Sequence, residues 1–482
     1  MLFNSIHFLL FFPLVFALFF ALPHVWRWVL LLAASLYFYM CWKPIYIVLL
    51  LVCSYCNHVA AVNISRSSSV SRRRGWLVFA LIVSFGLLFS FKYLNFASNV
   101  ALGAIHLFGL PFEWSALHIL LPVGISFYTF QAVSYTIDVY RGETKVELSF
   151  PRFLLFVTFF PQLVAGPIER SGALLPQFYE RMEFDYQRAV EGLQLMAWGM
   201  FKKVVVADTL SSYVEIVYRD PLSFSGGASL LATYLFAFQI YADFSGYSDI
   251  ARGAARILGF RLMVNFRQPY QSRSIPEFWQ RWHISLSTWF RDYVYIPLGG
   301  NRVRPRAWIR NVLVVFVVSG FWHGANYTFL IWGALHGLYF MISRLASSWR
   351  RRIVEAVGLV RVPALHRTLQ MAITFHLVCF AWIFFRADSL TKALDVIRRV
   401  ATDFNLFHPQ IALQGFDRFD VLTCLGVVAA MEGGHWARRR WDLASWLRSW
   451  PTALRWMLYL VGALVIYWFW KSEGAQFIYF QF

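Results

Sequence analysis

The chain has 482 residues, 59% of them hydrophobic and 14% charged, with a mean hydropathy of +0.53. A soluble protein of this length would divide into several charged-surfaced domains; this composition excludes that and predicts an all-α polytopic membrane protein, one membrane domain over residues 1–482. The formal net charge of +19 is concentrated at Arg66 with Arg72–Arg74, between Arg261 and Arg310, at Arg350–Arg352 and at Arg438–Arg440. These short loops between apolar stretches are cytoplasmic by the positive-inside rule, a pattern that argues for a lipid bilayer as partner and against nucleic acid.

Taken in order, Ile6 to Leu22 is a first membrane helix, without the basic n-region or small-residue cleavage site of a signal peptide. Trp28 to Val62 is too long for one span and is interrupted by Lys43-Pro44, which predicts two short helices and a turn. That choice puts Arg27 and Arg72–Arg74 on one side and the N-terminus outside. Further spans are expected at Trp76–Leu94, Leu117–Ile137, Phe153–Val164, Gly192–Val206, Ser229–Asp249, Val312–Phe340 (as two elements), Thr368–Phe385, Val421–Met431 and Ala453–Trp470. The total is roughly ten to thirteen crossings. The cysteines Cys41, Cys53, Cys56, Cys379 and Cys424 lack metal-type spacing and read as small core residues.

The segment 261–310 differs in kind, because Pro276 to Tyr295 is too charged to span. Trp279, Trp282, Leu286, Trp289 and Tyr293 recur at helical spacing, with Arg281, Ser285, Thr288 and Asp292 opposite. That is the pattern of an in-plane amphipathic helix, its tryptophans at headgroup depth and its arginines toward phosphates, ended by Pro297-Leu-Gly-Gly300. A simple anchor does not account for His283 within it. His323 stands in the apolar run from Val312 to Phe340, between Trp322 and Gly324. Hydrocarbon penalises polar side chains, so such a histidine is expected to face the interior and to work. Gly320 and Gly324 would let backbone or substrate approach its ring. A neutral imidazole can take a proton from an attacking hydroxyl at working pH. His283 could orient an acyl carbonyl, donate to a developing oxyanion or hold the His323 tautomer.

Two histidines placed this way, in the strings Phe278-Trp-Gln-Arg-Trp-His-Ile-Ser-Leu-Ser-Thr-Trp-Phe-Arg-Asp-Tyr-Val-Tyr-Ile-Pro-Leu-Gly-Gly-Asn301 and Ser319-Gly-Phe-Trp-His-Gly324, resemble the membrane-bound O-acyltransferase family. The likeness is to its bacterial branch, which acts on alginate and teichoic acid. Leu121 to Gln131, Phe160 to Ile168 and Tyr241 to Asp249 support it, and it covers most of residues 1–390. The resemblance implies a helical bundle around a central tunnel in the bacterial inner membrane, with both histidines at its narrowing and no bound cofactor or metal. The donor would be a cytoplasmic thioester, acetyl-CoA or an acyl carrier. The acceptor would be an exported polysaccharide such as alginate, with a periplasmic hydrolase-like acetyltransferase and export proteins as partners. His323 and His283 are then the catalytic candidates. Trp322, Asn326, Arg281, Trp282, Arg291, Asp292 and Asp243 are candidates for substrate or donor binding. Asp243 and Asp249 are equally suited to structural pairing, for example with Arg252. Finally, within residues 471–482, Phe477-Ile-Tyr-Phe-Gln-Phe482 resembles the motif of a small companion subunit of teichoic-acid D-alanylation, in which a tyrosine is proposed to carry the acyl group. Tyr479 is the matching position, on the extracytoplasmic side.

Overall fold

A computed structural model describes residues 1–109, 121–164, 166–403, 418–470 and 477–478. These residues form α-helices joined by short 3₁₀ and π turns, and no strand occurs among them. The helices fall into two compact units, one of Met1–Met196 with Ser248–Met263 and one of Ala197–Tyr247 with Val264–Phe482.

The first unit contains α1 (Ile6–Ala21), α2 (His24–Met40), α3 (Ile47–Arg66), α4 (Val70–Lys92), α5 (Leu94–Leu107), α6 (Ile125–Arg141), α7 (Phe150–Thr158), α8 (Ser171–Leu174) and most of α9 (Tyr186–Met200). Between α2 and α3 the expected break is present, with Pro44 opening a 3₁₀ turn. Buried polar side chains tie three helices together: Asn57 donates to Ser84 at 2.7 Å, and Thr136 donates to Asn57 at 2.8 Å. In an apolar solvent, hydrogen bonds of this kind take over part of the task of helix association. α7 corrects the expected span at Phe153–Val164. It has nine residues, about 14 Å of rise, and the chain leaves it at Phe159, two residues before Pro161. Glu169 is buried beyond it and accepts from the Met263 amide at 2.7 Å. Burial pushes its carboxyl up to about 7.

The second unit follows with a π turn (Phe201–Ala207), α10 (Asp208–Arg219), α11 (Gly226–Leu258), α12 (Ile275–Arg281), α13 (Ile284–Phe290), a second π turn (Arg291–Tyr295), α14 (Pro305–His323), α15 (Tyr327–Leu345), α16 (Ser347–Ala356), α17 (Pro363–Arg386), α18 (Leu390–Thr402), α19 (Arg418–Arg440), α20 (Leu443–Arg448) and α21 (Thr452–Phe469). The last turns of α11 belong to the first unit. Among the described residues, four helical stretches are long and apolar enough to cross a membrane: Pro44–Arg66, α4, α17 and α21. A fifth forms if α15 and α16, bent by 62°, count as one. α21 presents Leu464, Tyr467 and Trp468 outward, as a bilayer-facing helix does. Cys41 is exposed at the end of α2, against the expectation that all five cysteines are core residues.

The in-plane helix is also corrected. It is two seven-residue helices, α12 and α13, broken at Trp282-His283. Trp282, Leu286 and Trp289 are buried, so most of the aromatic stripe packs into protein rather than headgroups, and Ser285, expected on the polar face, is buried with it. Phe278, Trp282, Trp332 and Trp382 form the centre of the unit's core, with Trp282 and Trp382 rings 5.1 Å apart.

Candidate active site

His323 is the last residue of α14, at the break between the two elements expected over Val312–Phe340. Gly324 is extended and ends the helix, and Asn326 starts α15 by accepting from the Thr328 amide at 3.1 Å. The Asn326 side chain also donates to the Asp388 carbonyl at 2.9 Å, so the structure gives it a capping task. The α14–α15 hairpin is tight because Gly320 and Gly333 face each other: a Cβ on Gly320 would collide with the Phe329 carbonyl, and one on Gly333 with that of Phe316. This closeness presses the His323 ring, 3% exposed, against Trp332 at 5.1 Å and Phe385 at 5.3 Å.

His283 sits at the break between α12 and α13 with φ 43 and ψ 55. Among the described non-glycine residues only Gln268 shares a positive φ. The left-handed region costs a side-chain-bearing residue roughly 1–2 kcal/mol, and the surroundings repay it. The Ile284 amide donates to the Asn265 carbonyl at 2.9 Å, and the Arg267 amide to the Arg281 carbonyl at 3.0 Å. These bonds latch the break onto residues 265–267.

Asn265 also sets the protonation pattern. Its Oδ1 accepts from the Ser285 amide at 3.1 Å and from Ser285 Oγ at 3.0 Å, and lies 3.2 Å from His283 Nδ1. A main-chain N–H can only donate, so the Asn265 atom facing it is the oxygen, and His283 Nδ1 is therefore the protonated nitrogen. Nε2 then carries the lone pair. The ring is 0% exposed, and burial pushes its pKa down to about 3, so His283 is neutral at working pH. Phe244 of α11 meets it edge-on at 4.6 Å.

Trp322 lies between the histidines, its ring 6.3 Å from His283 and 4.8 Å from His323. The structure thus brings His283, Trp322 and His323 together. Trp282 supports them from the core. Arg281 pairs with Glu277 at 2.7 Å, and Arg291 with Asp292 at 2.7 Å, both at partly exposed positions. Asp243 pairs with Lys203 at 2.8 Å, and Lys203 also holds Asp208 at 2.9 Å, all three buried. Asp249, in the first unit, pairs with Arg252 at 3.2 Å, as expected for one of the two aspartates. Tyr479 lies outside the described residues.

Sequence reading missed four contributors. Lys202 and Lys203 interrupt an apolar run and could have been flagged as intramembrane charges; Lys202 donates to Ser245 at 3.0 Å. His336, fully buried on α15, meets Trp332 and Trp279 at 5.0 Å each. Asn265 sits in an irregular stretch with no periodicity to announce it.

The chain belongs to the membrane-bound O-acyltransferase family. That family's model matches residues 143–356. The chain is 40% identical over 398 residues to a probable alginate O-acetylase of Pseudomonas aeruginosa, across 82% of this chain and 73% of that one. It is 36% identical over 403 residues to a peptidoglycan O-acetyltransferase of Helicobacter pylori, across 78% and 73%. With a teichoic acid D-alanyltransferase of Bacillus subtilis it shares 29% over 288 residues, across 55% and 68%. It is an O-acyltransferase embedded in a membrane.

Proposed function

We propose that the chain moves an acetyl group from a cytoplasmic thioester, acetyl-CoA or an acyl carrier, across the bacterial inner membrane toward an exported, alginate-like polysaccharide. The observation that supports this best is the pair of buried histidines around Trp322, in a chain 40% identical to a probable alginate O-acetylase. The likeness to a peptidoglycan O-acetyltransferase supports a second acceptor class, a cell-wall sugar. A periplasmic acetyltransferase and export proteins would complete transfer to the polymer.

In the transfer, His323 takes the proton of an acceptor hydroxyl as its oxygen bonds to the thioester carbonyl carbon. The C–S bond then breaks and the departing thiolate recovers the proton. Asn265 keeps the lone pair of neutral His283 on Nε2, so that nitrogen accepts a hydrogen bond and does not donate to an oxyanion. This favours His283 as a group that orients the hydroxyl or thiol. Trp322, Arg281, Arg291 and Asp292 would line the donor path, with Trp282 supporting them from the core and Asn326 holding the hairpin. Tyr479 would be the first acceptor: its phenol, deprotonated by His323, takes the acetyl group and passes it outward, since a phenolate leaves more readily than a sugar alkoxide. His323→Ala should lower ester formation on exported polymer about 10²–10⁴-fold with unchanged protein level. Activity within tenfold of the parent removes His323 as the base.

A further inference from the structure

Phe477 and Ile478 are each 2% exposed, in the same compact unit as both histidines. The Ile478 amide donates to Asp243 Oδ2 at 2.7 Å, while Asp243 Oδ1 faces Lys203 Nζ at 2.8 Å. Phe477 packs on Tyr247 at 4.9 Å and on Phe244 at 5.8 Å. Asp243, Phe244 and Tyr247 stand on one stretch of α11, with Asp243 and Tyr247 four residues apart on one face. Phe244 is the ring that meets His283 edge-on at 4.6 Å. The aromatic segment that carries Tyr479 therefore begins one side chain away from His283.

The reason for this seat is electrostatic. Lys203 bridges the buried Asp208 and Asp243 carboxylates. A buried carboxylate needs donors on both oxygens, and a main-chain N–H aimed at Oδ2 supplies a charge-assisted bond. The Phe477 ring adds apolar burial beside it.

We propose that Asp243 seats Phe477-Ile478 beside His283, and that Asp243 is a positioning residue for this pair rather than a ligand for the donor. The lysine holds the carboxylate, the carboxylate holds the Ile478 amide, and the residue after Ile478 is Tyr479. The docking stands on these contacts alone; its use in transfer rests on the acyl-carrier reading above.

Hydrogen exchange read by mass spectrometry on the full chain in detergent tests the seat. The Ile478 amide should exchange slowly in the parent and about tenfold or more faster in Asp243→Ala, the loss expected for a hydrogen bond to a charged group. If the aspartate variant fails to fold, position 478 keeps the idea testable with Lys203 and Asp243 intact. Ile478→Val retains the donor and should keep both slow exchange at positions 477–478 and polymer acetylation. Ile478→Pro removes the donor and should lose both. Unchanged exchange in Asp243→Ala, or equal protection in the valine and proline variants, overturns the docking. Faster exchange with normal acetylation in Ile478→Pro overturns Asp243 as a positioning residue. Tyr479→Phe separates the two ideas: normal acetylation there ends the acyl-carrier reading and leaves the docking to be judged by exchange.

Discussion

Asn265→Ala removes one oxygen on which the Ser285 amide, the Ser285 hydroxyl and His283 Nδ1 converge at 3.0–3.2 Å. Each buried donor left without an acceptor costs about 1–3 kcal/mol, and three sharing one atom are not additive, so a loss on the order of 3–5 kcal/mol is expected. The catalytic effect comes from the His283 share alone. With Nδ1–H deprived of the Asn265 oxygen, the tautomer that places the lone pair on Nε2 is disfavoured by up to the same 1–3 kcal/mol, at most about a 5- to 150-fold loss of maximal rate. Donor KM should change little, because Asn265 touches the ring and not the donor path. The assay is thiol release from acetyl-CoA by membrane vesicles, alongside thermal unfolding in detergent. Asn265→Asp is the partner variant. It keeps the oxygen but sets a negative charge beside His283, which favours the imidazolium. Its acid limb should therefore move to higher pH than the parent's. A rate for Asn265→Ala within twofold of the parent, despite lower stability, would refute the reasoning.

Lys203→Met leaves the Asp208 and Asp243 carboxylates buried without their shared ammonium, and should lower stability by about 3–5 kcal/mol, read as a drop in detergent unfolding temperature. Glu169, pushed up to about 7 by burial from an ordinary 4.5, binds its proton more tightly folded than unfolded. Its contribution is therefore present below about pH 4.5 and is lost as pH rises toward 7, on the order of 3 kcal/mol in all, and Glu169→Gln should flatten that slope. Exposed Arg302 and Arg304, changed together to Gln, should raise the KM for acetyl-CoA and weaken its salt dependence at unchanged maximal rate; a KM indifferent to both leaves them a topological role only.

The helical class and most helix positions follow from the apolar runs, since nothing but a helix satisfies the backbone in hydrocarbon. What was not legible has particular causes. Trp282 and Trp289 at helical spacing suit a headgroup layer or a protein core equally, and the structure chose the core, with Trp279 packed partly buried against it. The break between α14 and α15 had to be placed within one apolar run, and Gly324 and Asn326, a breaker and a cap, mark it right after His323. The left-handed backbone of His283 had no glycine to signal it, and its partner Asn265 lies 18 positions earlier across an irregular stretch. The two histidines themselves were legible, because polar side chains beside glycine and tryptophan in apolar surroundings are rare without a task.

The π turn at Phe201–Ala207 accommodates an extra residue within an otherwise continuous helical path from α9 into α10. An α-helix advances about 100° per residue, so deleting any one residue of that turn would restore regular winding and swing one side of the path by about that angle against the other. Lys203 could not then keep both carboxylates. The register of this single turn is thus a length constraint: its residues 202–207 are buried, and a one-residue gap there should require a rebuilt charge cluster.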